Sequence, residues 1–238
     1  MIPLLFALSL AFAKKAVEPL PAAWKCSDAV ADDHKAGMEA LLASDWAKAE
    51  TSFAAVLVKE PNCGLSLTGS GRAKVMLAKY AEAEEPLKKA SGLFADQVDP
   101  LLWLAKAQVE GGKMDEALAT ANAAIAIKPG SVDAHRVVQR VLLSKNDLAG
   151  AHAMMVTARG VSSNSAWECF DGIVFSREGE LGKAQGMAEV CKNVPDASIY
   201  AEFTKEMMAA VARMEAAQPP EPEPVPAAPA ATAAKGKK

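Results

Sequence analysis

The 238-residue chain carries 26 Lys and Arg against 29 Asp and Glu, a formal net charge of −3, with 51% hydrophobic and 5% aromatic residues. That balance is globular and offers no general cationic surface for nucleic acid. Its alanine-rich apolar fraction suits close helix packing and excludes a β-sandwich, whose strands favour Val, Ile, Thr and aromatics.

Residues 2–12 form an apolar run without a charged side chain. The run is too short to span a bilayer, which takes about 20 residues. Ala11, Phe12 and Ala13 follow the small-x-small cleavage pattern, with Lys14 and Lys15 directly after. The pattern predicts a signal peptide over 1–13 and an exported chain, periplasmic or extracellular. The alternative is a short buried helix. Residues 14–29 form a lead segment.

From residue 30 the sequence repeats. The alanines that follow a short polar turn are Ala49, Ala83, Ala117, Ala151 and Ala184, spaced 34, 34, 34 and 33 residues apart. A large side chain precedes each by three positions: Trp46, Tyr80, Met114, Leu148 and Leu181. Gly37, Gly71, Ala105 and Gly172 precede by twelve, with Gln139 as the exception, and Pro61 and Pro129 close the first and third units. Paired antiparallel helices approach closely where both present small side chains, and proline ends the second helix. One such pair cannot bury its apolar faces alone, so successive pairs stack.

Over residues 30–197 this pattern resembles the tetratricopeptide repeat family. Gly37, Ala49, Phe53 and Pro61 carry the likeness in the first unit, Gly71, Tyr80, Ala83 and Ala90 in the second, and Ala105, Ala117, Ala124 and Pro129 in the third. The units are 30–63, 64–97, 98–131, 132–165 and 166–197. The resemblance implies an all-α, right-handed superhelical solenoid of antiparallel helix pairs, with a concave face that binds peptides or partner proteins.

Residues 198–217 are helical in period, with Tyr200, Phe203, Met207, Met208, Val211 and Met214 on one stripe. They read as a capping helix for the open end of the array, or else as a methionine-rich docking surface. Residues 218–238 hold proline at near-alternate positions and a lysine tip, a disordered Pro/Ala-rich spacer or a solvated tail without a role.

In the repeat frame, Cys26 precedes the first helix of the first unit and Cys63 follows its second, and Cys169 and Cys191 stand likewise in the fifth. The frame selects disulfides Cys26–Cys63 and Cys169–Cys191, each worth about 3 kcal/mol in the chain-entropy model. Four inert thiols are the alternative. No Cys-x-x-Cys or Cys/His pair sits at zinc-ligand spacing, so no metal is expected.

Chemistry is sparse. Gly64–Lys74 superficially suggests a phosphate loop but lacks Lys-Ser/Thr after its second glycine. His34, His135 and His152 have neither nucleophile nor carboxylate at triad spacing. No catalytic activity and no cofactor are expected.

The resemblance puts first helices on the concave face, with the residue after each small position pointing inward: Met38, Arg72, Lys106, Arg140 and Ile173. Arg72, Lys106 and Arg140 would form a cationic ladder, with Arg136 and Arg177 nearby and Trp103, Met76, Thr68 and Leu102 supplying neutral surface. Arginine forks suit carboxylates, and an accessible Trp suits an anchor; ordinary solvated charge is the alternative. Some members of the family clamp a terminal carboxylate with Lys and Asn. Here the corresponding places hold His34, Met38, Gly69, Asp99 and Trp103, so that clamp is not expected.

The resulting expectation is a non-enzymatic scaffold of the cell envelope that binds a partner protein or acidic peptide in this groove, with no nucleic acid and no transmembrane span. An anionic cell-wall or surface polysaccharide, contacted also by the tail, is the alternative, and an accessory helical domain of a cell-wall enzyme is a third.

Overall fold

The computed structural model describes residues 24–163, 166–192 and 197–217. A 3-10 turn at Asp28–Val30 leads into eleven α-helices among the described residues. They run in successive pairs: α1 (Ala31–Leu42) with α2 (Trp46–Lys59), α3 (Gly64–Met76) with α4 (Tyr80–Leu93), and α5 (Val98–Glu110) with α6 (Met114–Ile127). Then follow α7 (Val132–Ser144), α8 (Leu148–Val161), the pair α9 (Ala166–Glu178) and α10 (Leu181–Lys192), and a longer α11 (Ala197–Ala216). The chain divides into two compact units, one through Val141 and one from Leu142 onward.

One turn recurs between the two helices of every pair. Ser44, Ala78, Gly112, Asn146 and Gly179 all have φ between 56° and 81°. The next residue's amide then donates back to a carbonyl five positions earlier: Asp45 to Ala40 (2.8 Å), Lys79 to Lys74 (2.9 Å), Lys113 to Gln108 (2.7 Å), Asp147 to Leu142 (2.9 Å) and Glu180 to Phe175 (3.0 Å). This is the Schellman closure, which satisfies carbonyls that the first helix leaves open. Asp45 and Asp147 then start the second helices, their carboxylates accepting from the Lys48 and Gly150 amides at 3.1 and 2.8 Å.

In the first unit, Ala49, Ala83 and Ala117 are fully buried, as are Ala90, Ala105 and Ala124. The glycines of α1 and α3 permit a close approach. A Cβ on Gly37 would lie 2.8 Å from the Phe53 ring, and one on Gly71 would overlap Leu87. Gln139, in the place of the small residue, is itself completely buried. Consecutive first helices also meet, α1 against α3 and α3 against α5.

The lead segment is part of this packing. Trp24 is buried, edge-on to Phe94 with ring centroids 5.0 Å apart, and its carbonyl accepts from the Leu65 amide at 3.0 Å. Gly64 leaves the space that the Trp24 ring occupies. Cys26 is joined to Cys63 with a Cα–Cα distance of 5.1 Å, so the segment is fastened to the start of α3.

In the second unit, α8 packs on α9, and α11 on both α9 and α10. Ala151 and Ala184 are fully buried there. Arg159 of α8 pairs with the buried Asp171 of α9. Cys169 and Cys191 join α9 to α10 at a Cα–Cα distance of 5.3 Å. Met207 of α11 is fully buried against Gly172, and Val211 is buried with it. This half of the stripe therefore covers α9 and α10, while the side chains of Tyr200 and Phe203 lie outside the described residues.

Candidate interaction surface

The centre of the site is Trp103 on α5. One side of its indole is half-buried on a cluster of Val75, Ala83, Leu87, Leu104 and Ala107. The Arg72 guanidinium, from α3, lies 5.1 Å from the ring centroid, and the Lys106 ammonium lies 5.3 Å from it. A cation over an indole is held by the ring's quadrupole, with about 0.5–1 kcal/mol at an exposed site. Arg72 Nε is buried without a hydrogen-bond partner. Leaving such a donor unmet costs about 1–3 kcal/mol, which the indole contact only partly offsets.

The other rungs behave differently. Arg140 grips Glu110 of α5 through both guanidinium nitrogens, at 2.6 and 3.4 Å. Arg136 pairs with Asp133 on its own helix at 3.2 Å. Among the described residues, the ladder therefore presents Arg72 and Lys106 without an ion pair and Arg140 already neutralised. Ile173 corrects the groove register: at 2% exposure it is core, so the phase that opens outward on α3 and α5 turns inward on α9. Met38 and Met76 are 40% and 39% exposed, and Leu42, one turn beyond Met38, is 83% exposed. Thr68 is spent on its own helix, donating to the Gly64 carbonyl at 2.9 Å.

Away from this face, carboxylates and lysines tie neighbouring helices. Glu50 of α2 accepts from Lys74 at 2.8 Å and Lys79 at 2.7 Å, and those bonds hold its carboxyl below the ordinary range. Glu84 is partly desolvated, which opposes ionisation, yet bonds from Lys113 and Lys88 leave it below its ordinary value.

Spatial neighbours distant in sequence also appear. His34 Nδ1 lies 2.9 Å from Ser66 Oγ, and both lie beside Cys26 Sγ, at 3.6 and 3.1 Å. Burial lowers the His34 pKa. Ser66 is completely buried, so its hydroxyl cannot meet a substrate. Cys26, Glu60 and Cys63 bring potential ligand atoms within 4.8 Å of one another. With the two sulfurs bonded together, no thiolate is on offer to a metal. His135 is buried with Nδ1 2.8 Å from the Ser131 carbonyl, and half-buried His152 pairs with Glu178 at 2.9 Å. No described helix is long and apolar enough to cross a membrane.

Residues 75–141 match the tetratricopeptide repeat family model, a stretch that includes Trp103, Lys106 and Arg140. No curated protein matches the chain. Among solved structures, a thermophilic tetratricopeptide repeat protein of Thermus thermophilus is similar with a TM-score of 0.61 at 15% identity, over 77% of this chain and 99% of that one. A tetratricopeptide repeat protein of Parabacteroides merdae gives 0.60 at 18% identity, over 80% and 77%. The MamA protein gives 0.55 at 17% identity, over 80% and 98%. The helix-pair fold is that of tetratricopeptide repeat solenoids.

Proposed function

We propose that this chain is a non-enzymatic scaffold of the cell envelope that holds a partner protein by an acidic segment laid across Arg72, Trp103 and Lys106. The observation that carries the reading is the convergence of two cations on one half-buried indole, 5.1 and 5.3 Å from its centroid, with no carboxylate among the described residues paired to either. A partner carboxylate would find two donors and an apolar platform already in place, so little ordering would be needed on binding. Envelope location is supported by the apolar run and small-x-small site ahead of Lys14. It is also supported by the fastening of all four cysteines in two pairs, which an oxidising compartment maintains. A polysaccharide is disfavoured because a repeating polyanion needs a repeating ladder, and the Arg140 rung is occupied by Glu110.

The test is affinity capture from envelope extract by the full chain and by a variant carrying Arg72→Glu and Lys106→Glu, with folding checked by circular dichroism. A protein retained by the first and lost from the second is the expected result. Equal capture by both would remove this face from the function. Retention of wall polysaccharide after protease treatment of the wall would transfer the reading to that ligand. Sequencing the N-terminus of chain recovered outside the cytoplasm should give Lys14.

A further inference from the structure

The face is not uniform along the array. Corresponding positions of the first three units read Met38, Arg72 and Lys106, and one turn further along each helix Leu42, Met76 and Glu110. Thus α1 presents two apolar side chains, 40% and 83% exposed, and α3 presents one cation and an apolar side chain that is 39% exposed. On α5, Lys106 stands beside Trp103, with Glu110 consumed by Arg140. Since α1 packs on α3 and α3 on α5, the surface grades from apolar to cationic in the chain's own order. Exposed large apolar side chains occur elsewhere too, but Met38, Leu42 and Met76 share one register on helices that pack side by side, as a surface held for an apolar partner group does.

Resting on the proposed function above, we infer that the occupant is an extended segment of a partner protein with an apolar side chain for Met38, Leu42 and Met76 and, about two or four residues away on the same face of the segment, a carboxylate for Arg72 and Lys106. The spacing follows from geometry. Packed helices are about 8–10 Å apart. An extended chain advances about 3.3 Å per residue and turns every second side chain to the same face, so the two contacts fall about two or four residues apart. The apolar cluster is centred between α1 and α3 and the cations between α3 and α5, so the two contacts are one helix spacing apart. Charge complementarity selects the carboxylate: both open groups are cations, and the one acidic group at these positions is already bound. Backbone orientation follows the partner, since side chains alone make the two contacts.

The probe is a fluorescein-labelled, otherwise Gly/Ser peptide carrying Leu-Leu and Asp-Glu separated by two residues, in both sequence orders, measured by anisotropy with the full chain. At least one order should bind, and Leu-Leu→Ser-Ser or Asp-Glu→Asn-Gln in a binding peptide should each weaken it about tenfold. The coupling is the decisive readout. On Met38→Ser/Leu42→Ser protein the leucine change should have no further effect, while the carboxylate change should keep its own. Arg72→Gln/Lys106→Gln protein should behave in the opposite way. Equal binding of the Leu and Ser peptides to the unaltered chain would overturn the apolar half. Failure of both orders to bind would overturn the inference. If extract capture still depended on Arg72 and Lys106, the proposed function would survive that failure; capture indifferent to them would end both.

Discussion

The side chain of Leu87, on α4, occupies the space in which a Cβ on Gly71 of α3 would have to lie. Gly92, near the end of α4, has nothing within 4 Å of the corresponding position. The same substitution should therefore have opposite signs at the two sites. Gly92→Ala gains about 0.5–1 kcal/mol of helix propensity with no steric opposition. At Gly71 that gain is set against overpacking of about 1–3 kcal/mol in a filled core. Gly71→Ala should lower the thermal midpoint and Gly92→Ala raise it. Pairing Gly71→Ala with Leu87→Val should recover part of the loss, and additive losses would show that Leu87 is not the obstacle.

The recurring turn gives a second pair. Ala78 holds φ at 58°, a conformation that costs an L-residue roughly 1–2 kcal/mol. Gly112, at φ 78°, fills the equivalent place without that strain. Ala78→Gly should stabilise the chain by about 1 kcal/mol in urea unfolding, even though it loosens the unfolded state. Gly112→Ala should destabilise by a similar amount, and no change in either would refute strain at this turn.

These two sites show what was legible in the sequence. The period was readable from Ala49, Ala83 and Ala117 because an alanine at a helix crossing has one physical meaning, close approach, and each is fully buried. The turn was not readable, because only Gly112 and Gly179 use glycine while Ser44, Ala78 and Asn146 adopt the same φ under the pull of the closure. Trp24 lay outside the repeat and carried no phase; only the space left by Gly64 and the ring of Phe94 reveals its seat. The repeat frame could place Arg72, Lys106 and Arg140 in a row but could not see Glu110 reach Arg140, a contact between side chains 30 residues apart. For the same reason it assigned Ile173 to a surface that does not exist on α9.

Acid should lower the stability of the chain across two pH windows. Burial disfavours the charged form of His34, so its folded pKa lies below the ordinary 6.5. The unfolded chain binds that proton first, and stability present above about pH 6.5 is lost as pH falls toward the folded value. Glu50 is held below its ordinary 4.5 by Lys74 and Lys79, so its contribution is present above that pH and lost beneath it. Urea midpoints measured from pH 8 to pH 3 should decline across both windows. His34→Gln should flatten the upper window only, and Glu50→Gln should lessen the lower one only, since Glu84 still contributes there. A decline between pH 6.5 and 4.5 unchanged by His34→Gln would assign it to other groups.

Glu110 makes the surface itself testable in the favourable direction. Its bond to Arg140 joins α5 to α7, with side chains 29% and 53% exposed, and pairs so open to water contribute about 0–1 kcal/mol. Glu110→Gln should therefore leave the thermal midpoint almost unchanged while removing one negative charge and releasing a third cation beside Lys106. Affinity for an acidic segment should rise about two- to fivefold, corresponding to roughly 0.5–1 kcal/mol. The gain should shrink with added salt, because the released charge is screened there. Arg140→Glu should weaken the unaltered chain less than Lys106→Glu does, since Arg140 is already paired. If Lys106→Glu and Arg140→Glu were equivalent and Glu110→Gln had no effect, binding would depend on net charge alone, and the arrangement around Trp103 would have no part in recognition.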